Sequence, residues 1–373
     1  MLKSPKKMVI FRSHTQYASV LIEKAQDTDI TVTYTDLDNY RKSIVFSAAL
    51  YSISITDALP YCDINIIGNI KKIDFTTSSQ SDIYYVKLIN TDIEYFLDYN
   101  KLEYIYGLEK NNNITKLFER GRLPLLKHCK LPDIQTFNAE IIGGENENSE
   151  LELIIPNSVT YCNAPMRNSK LKSLIFGHGC NDISINQQAG YFLYGSKIGK
   201  VVIPNNIESY SVIRGATIEE LYIYTPKIVI PKYNSIDYLY VDIIDNATLS
   251  QYDPLCGENG GYMNYKCIEI GEGTINIPPF VLSTWGARPS QSLRVIIGNN
   301  VKSISSKAFV NGGDGLYFIM KCAIPPSINP DSFQGLSSGC TIYVPNESVD
   351  SYKTYTNWSA LASKIKPLSE LPS

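Results

Sequence analysis

Histidine, the side chain most often recruited for proton transfer and metal binding, is scarce in this chain: only His14, His128 and His178 are present. None has an acidic or cysteine partner at catalytic or zinc-ligand spacing. His128 precedes Cys129 in an apolar pattern and reads as a solvent-facing strand residue. Eight cysteines are present, at positions 62, 129, 162, 180, 256, 267, 322 and 340, with no C-x-x-C pair. Cys129 falls on an apolar repeat position, so most of the set reads as reduced thiols buried like small hydrophobes.

Other constellations are equally bare. Asp237, Asp242, Asp245 and Asp253 raise the question of calcium, but their spacing fits no EF-hand loop; they read as solvated loop acids. Gly312-Gly313-Asp314-Gly315 lacks the lysine of a phosphate loop, and G-x-S-x-G, H-E-x-x-H and Walker sequences are absent. The run Glu145–Glu150 reads as an exposed turn. No catalytic residue, metal ligand or cofactor site is nominated, and the expectation is a protein that is not an enzyme.

Tyrosine is the exception, with 27 copies. Many sit beside apolar strand positions, among them Tyr84, Tyr85, Tyr104 and Tyr106. A rigid, amphipathic ring suits a recognition surface, and Tyr is also an ordinary strand residue. The candidate binding residues are Tyr222, Tyr224, Tyr238 and Tyr240, with Trp285 in the long insert Phe280–Ser292. A second insert, Asn246–Lys266, carries Pro254, Cys256 and a glycine-rich run.

Net charge is −3 and charged residues make up only 19%, so no basic surplus exists to neutralise phosphates, and nucleic acid is not an expected partner. No apolar stretch is long enough to predict a membrane-spanning helix. Near the N-terminus the apolar run Met8–Phe11 is broken by Arg12, Ser13 and His14, so no export signal is expected.

The elements that must position these residues follow a repeat. The pattern apolar-x-x-apolar-x-apolar, then Pro, Gly or Asn, then another apolar residue, recurs about every 18 to 29 residues, a period that marks a solenoid. Clear copies are Leu126–Phe137, Leu171–Ile183, Ile198–Tyr210, Ile218–Ile230 and Ile236–Leu249. Ile83–Phe96 keeps the full pattern, Leu102, Ile105 and Gly107 form a weaker copy, and further copies at Ile64–Phe75, Leu151–Val159, Cys267–Pro278 and Leu293–Val301 bring the expectation to about a dozen turns. Within one copy, strand alternation sends Val201 and Ile203 inward and Val202 outward. Pro204 cannot donate to the ladder and ends the strand. Asn205 and Asn206 suit a turn, and Ile207 returns to the core.

Residues 1–60 depart from the repeat. Met8–Phe11, Ser19–Glu23, Ile30–Tyr34, Ser43–Phe46 and Leu50–Thr56 read as short strands, with a turn at Asp36–Asn39. The expected organisation is residues 1–60 as a β-rich attachment or capping domain, 61–345 as solenoid, and 346–373 as a C-terminal capping helix and tail.

The copies ending in Ile-Pro-Asn or Ile-Gly-Asn resemble BspA-type leucine-rich repeats, whose units read roughly L-x-x-I-x-I-P-x-x-V-x-x-I-x-x-x-A-F. Leu293–Phe309 is the fullest unit, with Val301, Ile304 and Ala308-Phe309 in place. Pro330–Phe333 resembles the end of the next unit. Cys340–Leu368 resembles the closing strand and amphipathic helix, with Val349, Tyr352, Tyr355 and Trp358 as the buried side. The resemblance spans residues 62–368 and implies a β-rich (α+β) repeat solenoid, a leucine-rich-repeat-like parallel sheet. It also implies a binding or structural role. Similar repeats occur in phage virion proteins and in bacterial surface adhesins. The expectation is a virion component, a head or tail fibre assembled in the host cytoplasm. It would join other virion proteins or copies of itself through residues 1–60 and face a host surface glycan or protein, without nucleic acid and without membrane insertion. The alternative is an adhesin at the bacterial cell surface.

Overall fold

A computed structural model describes residues 6–25, 29–47, 50–75, 82–97, 101–111, 113–118, 125–137, 150–162, 166–180, 192–204, 213, 215–224, 235–242, 265–279, 281–283, 293–310 and 315–372. The chain divides into two compact units, residues 1–184 and 185–373.

In the first unit, short alternating segments become β1 (Met8–Ser13), β2 (Ala18–Lys24), β3 (Ile30–Thr35), β4 (Arg41–Phe46) and β5 (Leu50–Ile55). Between β3 and β4 the Asp36 carboxylate holds the turn, accepting the N–H groups of Asp38 at 3.1 Å and Tyr40 at 2.8 Å. There follow β6 (Ile64–Ile67), β7 (Ile70–Asp74), β8 (Ile83–Ile89), β9 (Tyr95–Leu97), β10 (Tyr104–Tyr106), β11 (Lys116–Leu117) and β12 (His128–Cys129). These strands form two sheets, in the orders β12-β10-β8-β1-β6-β3-β4 and β11-β9-β7-β2-β5.

Strand pairing does not respect the expected boundary at residue 60. β1 lies between β6 and β8, antiparallel to both, with Val9 opposite Ile66 and Leu88. The motif copy at Ile64–Phe75 is therefore not a free solenoid turn: β6 is antiparallel to β1 and β3, and β7 to β2. Parallel pairing takes over from β7 to β9 and β11, and from β8 to β10 and β12. A file of buried phenylalanines runs through the unit: Phe11–Phe75 at 5.4 Å, Phe75–Phe96 at 5.8 Å and Phe96–Phe118 at 5.8 Å between ring centroids. All three contacts are edge-to-face or nearly so, the arrangement ring quadrupoles favour. Later in the unit β13 (Thr136–Phe137) pairs in parallel with β15 (Tyr161–Cys162), and β14 (Glu152–Ile154) with β16 (Lys170–Ile175).

The second unit is a parallel ladder. Its strands are β17 (Lys197–Ile203), β18 (Thr217–Ile223), β19 (Ser235–Val241), β20 (Cys267–Ile270), then β21 (Asn276–Ile277), β22 (Leu282–Ser283), β23 (Arg294–Ile297), β24 (Ser303–Ile304), β25 (Phe309–Val310), β26 (Tyr317–Met320), β27 (Ser327–Ile328), β28 (Thr341–Val344) and β29 (Ile365–Pro367). The main sheet runs β17-β18-β19-β20-β23-β26-β28-β29, with smaller parallel ladders β21-β24-β27 and β22-β25. Val201, Leu221, Leu239, Ile268, Val295, Phe318, Ile342 and Ile365 stand in one register row, and all are buried. Val201 and Ile203 point inward and Val202 is half-buried; Ile207 lies outside the described residues. The β-solenoid has about eight turns, fewer than the motif copies suggested; in the copy Ile64–Phe75, β6 pairs antiparallel on both sides and only β7 joins a parallel ladder.

The C-terminal end is closed by aromatic packing. Phe309, Phe333, Trp358 and Tyr352 contact one another in sequence at 5.2, 5.5 and 4.9 Å. Trp358 Nε1–H donates to the Pro326 carbonyl and the Tyr352 hydroxyl to the Cys322 carbonyl, both at 2.8 Å and buried. The expected amphipathic helix is shorter than its pattern: α1 covers only Val349–Thr354. Asn357 then adopts φ 66°, and Trp358–Lys364 continues as a 3-10 helix. This break turns Tyr355 outward while Trp358 stays buried, which corrects the expected burial of Tyr355. Beyond it, β29 completes the sheet, so residues 346–373 supply an edge strand as well as a cap. Pro367, opposite Val344, has no N–H to offer a further strand. The tail is held back by Arg294 donating to the Pro372 carbonyl at 3.0 Å.

Two substitutions test this packing. Ile203→Asp places an unpaired charge in the inward row and is expected to cost about 3–5 kcal/mol. Trp358→Ala empties the cap and loses a buried hydrogen bond, at about 3–5 kcal/mol. Thermal melts followed by circular dichroism should fall by many degrees for both; a wild-type melt for Ile203→Asp would refute its inward placement.

Candidate functional site

Strand alternation forces the residues between the inward positions onto the outer face. In a parallel ladder held in register they also fall into rows. One row is Val202, Tyr222, Tyr240, Glu269; the next is Lys200, Glu220, Tyr238, Cys267. The structure thus brings the four nominated tyrosines together. Ring centroids lie 5.5 Å apart for Tyr222–Tyr240, 5.6 Å for Tyr224–Tyr240 and 5.9 Å for Tyr222–Tyr238. All four are half-buried. Lys200 Nζ sits 4.4 Å from the centre of the Tyr222 ring, within cation–π range. Trp285 lies outside the described residues, as do most of both long inserts.

The phenols are anchored by carboxylates. Tyr238 donates to Glu269 at 2.6 Å, Tyr240 to Asp242 at 3.2 Å and Tyr222 to Glu220 at 3.2 Å. Glu269 is also held by Lys321 at 2.7 Å. Burial, reinforced by these carboxylates, raises the phenol pKa values of Tyr222 and Tyr238 above the ordinary range. Burial and Asp242 push Tyr240 up to about 12. The rings of Tyr222, Tyr238 and Tyr240 are therefore pinned at their hydroxyls.

Asp242 corrects an expectation. It is buried at the end of β19, not solvated in a loop, and also accepts the Gly273 N–H at 3.0 Å. Its approach to Tyr240 requires a glycine opposite, because a Cβ on Gly271 would collide with both the Tyr240 hydroxyl and the Asp242 carboxylate. Asp237 does face solvent, paired with Lys266 at 2.6 Å; Asp245 and Asp253 lie outside the described residues.

Elsewhere, Cys129 is buried, and burial raises its thiol pKa well above the usual value. Burial, then Glu269, pushes the Cys267 thiol up to about 11. Neither thiol is activated as a nucleophile. Among the described residues no group of three His, Cys, Asp or Glu gathers in a metal-binding arrangement, and no helix is long and apolar enough to cross a membrane. The arrangement offers fixed aromatic faces rimmed by carboxylates and lysines, which is equipment for contact.

Sequence reading missed a second aromatic cluster, in the first unit. His14 stacks on Tyr84 at 4.1 Å and 1°, Tyr85 meets Tyr106 at 5.4 Å, and Tyr106 stacks on His128 at 4.4 Å. The individual tyrosines were visible in the sequence; their meeting with His14 was not, because β1 pairs with β8 across a long stretch of chain.

The anchored phenols set an alkaline stability window. Tyr240 releases its proton in the folded state only near pH 12, against an ordinary value of 10. The unfolded chain thus loses its proton first. Stability from this group is intact below about pH 10 and is lost as pH rises through the folded value. Absorbance titration of the phenolates should show a late-ionising set whose ionisation coincides with unfolding, and Gly271→Ala should shift part of that set to lower pH.

Comparison with protein-family models and with curated proteins finds no match to this chain.

Proposed function

We propose that the chain is a non-enzymatic structural and binding protein that uses its solenoid to present a fixed surface. The observation that carries this reading is the tyrosine platform of Tyr222, Tyr224, Tyr238 and Tyr240, in which the hydroxyls of Tyr222, Tyr238 and Tyr240 are tied to Glu220, Glu269 and Asp242. Rings held before binding lose little conformational freedom on contact, so more of the contact energy appears as affinity. The target in this reading is a surface glycan or a protein, in keeping with half-buried aromatics and paired charges.

The proposed setting is a virion component assembled in a host cytoplasm. Two features support it. Thiols at Cys62, Cys129, Cys267 and Cys322 are free, which suits folding in a reducing compartment. Residues 1–60 also place β4 at the edge of its sheet, with Val45 60% and Ile44 40% exposed. An exposed edge with apolar side chains is a template for another strand, and the proposed partner there is another virion protein or a second copy. The adhesin reading shares the platform and differs in its redox setting.

Three measurements separate these possibilities. Tyr222→Ala combined with Tyr240→Ala should weaken retention of the labelled chain on intact bacterial cells about tenfold; unchanged retention would remove the platform from the proposal. Val45→Lys should abolish self-association in light scattering while leaving the melt unchanged. Mass spectrometry after alkylation under denaturing conditions should find most thiols free, whereas several native disulfides would favour the exported adhesin.

A further inference from the structure

We propose that the outer face of the first unit carries a second binding site, from Tyr61 through His14 and Tyr84 to Tyr106 and His128, and that its ligand is a neutral carbohydrate chain. The proposal does not depend on the tyrosine platform, which lies in the other unit.

Two local departures from regular structure build this face. The first is a bulge in β8. Arg12 pairs with Tyr85 but Ser13 pairs with Ile83, so Tyr84 is an extra residue in the ladder. A bulge re-aims side chains: Tyr84 and Tyr85 are both half-exposed, while Ile83 and Val86 on either side are buried. A regular strand would have sent one of these rings to the opposite face. The second departure is the turn Leu59–Cys62, closed by the Cys62 N–H on the Leu59 carbonyl at 3.3 Å. Pro60 occupies its second position and Tyr61 its third, with φ 64°. Gly or Asn ordinarily fills such a position, because other side chains are strained there. The Tyr61 ring is 62% exposed, so burial does not offset that strain. The ring instead stands 5.6 Å from His14 and 6.1 Å from Tyr84. Strain held at an exposed side chain points to use of that side chain.

The chemistry of the face selects the ligand. Tyr84, Tyr85 and Tyr106 each have one face covered, by His14, Arg12 and His128, while Tyr61 is largely open, and an open ring face attracts the weakly positive C–H groups of a sugar ring. The cations seated on the rings are already committed. Arg12 lies 4.5 Å from the Tyr85 ring centre and is paired with Asp63 at 2.7 Å. Lys127 lies 5.9 Å from the Tyr104 ring centre and is paired with Glu103 at 2.8 Å. Lys101 pairs with Asp82 at 3.3 Å. His14 lies 3.9 Å from Asp82 and 3.7 Å from Glu103. Among the described residues Lys87, exposed and opposite Tyr106, is a cation of this face outside these pairs, but a polyanion needs several such cations, so the face is better matched to a neutral chain than to nucleic acid or a sulfated one. Paired ions still accept and donate hydrogen bonds at their rims, which matches a neutral, hydroxyl-rich chain.

The test is affinity electrophoresis of the full chain in gels containing dextran, yeast mannan, a galactan or a soluble 1→4-linked glucan, with heparin and oligo(dT) as polyanionic controls. At least one neutral polysaccharide should retard the wild-type chain. Tyr61→Gly removes the ring and relieves the strained φ, so its melt should be unchanged or raised while retardation falls about tenfold. Tyr84→Ala should do the same to retardation. Absence of retardation by every neutral polysaccharide, retardation by heparin or oligo(dT) that depends on the same residues, or full retardation of Tyr61→Gly would each overturn the proposal.

Discussion

Register is the constraint on which the rest of the second unit depends. Each strand of the main sheet pairs with the next in parallel, position for position, from Lys200 opposite Glu220 to Phe318 opposite Ile342. A slip of one residue would turn every inward isoleucine and valine to solvent, so burial of the row Val201, Leu221, Leu239, Ile268 holds the alignment. The same alignment imposes order outside. Tyr222 and Tyr240 are neighbours because Leu221 and Leu239 are neighbours. The platform is thus a by-product of core packing, and its rings need only local anchors, Glu220, Asp242 and Glu269, to become fixed.

In the first unit the constraint is different. Its early strands are antiparallel and sequence-distant, and what unites them is the file of phenylalanines from Phe11 to Phe118. Edge-to-face contact brings β1 and β9 into one core although their residues are far apart in the chain. The transition from antiparallel to parallel pairing occurs on either flank of this file, at β7 and β8.

Much of this was legible in the sequence. The strands of residues 1–60, the inward placement of Val201 and Ile203 and the outward placement of Tyr222, Tyr224, Tyr238 and Tyr240 follow from period-two alternation, which is a local property. What alternation does not encode is which strand lies beside which. The insertion of β1 between β6 and β8 is therefore invisible in the pattern, and with it the stacking of His14 on Tyr84. The Tyr84 bulge is hidden for a related reason, since two successive tyrosines look like a simple strand until the partner register is known. Asp242 misled because its neighbours resemble a loop; its burial depends on Gly271 and Gly273, which belong to the next turn. The C-terminal helix was read from apolar spacing alone, and that spacing is broken after Thr354, where Tyr355 turns extended ahead of the left-handed Asn357.

The proline at the end of β29 has a consequence for how copies of this chain accumulate. Parallel ladders of like strands are open-ended by construction, and nothing in their hydrogen bonding specifies a last rung. Here the final rung is short, ends in a residue that cannot donate, and is followed by a tail tied back through the Pro372 carbonyl. Stacking of one molecule upon another through this edge is thereby given a short template with a donor missing. A copy meeting this edge finds a rung whose last residue offers no hydrogen to share.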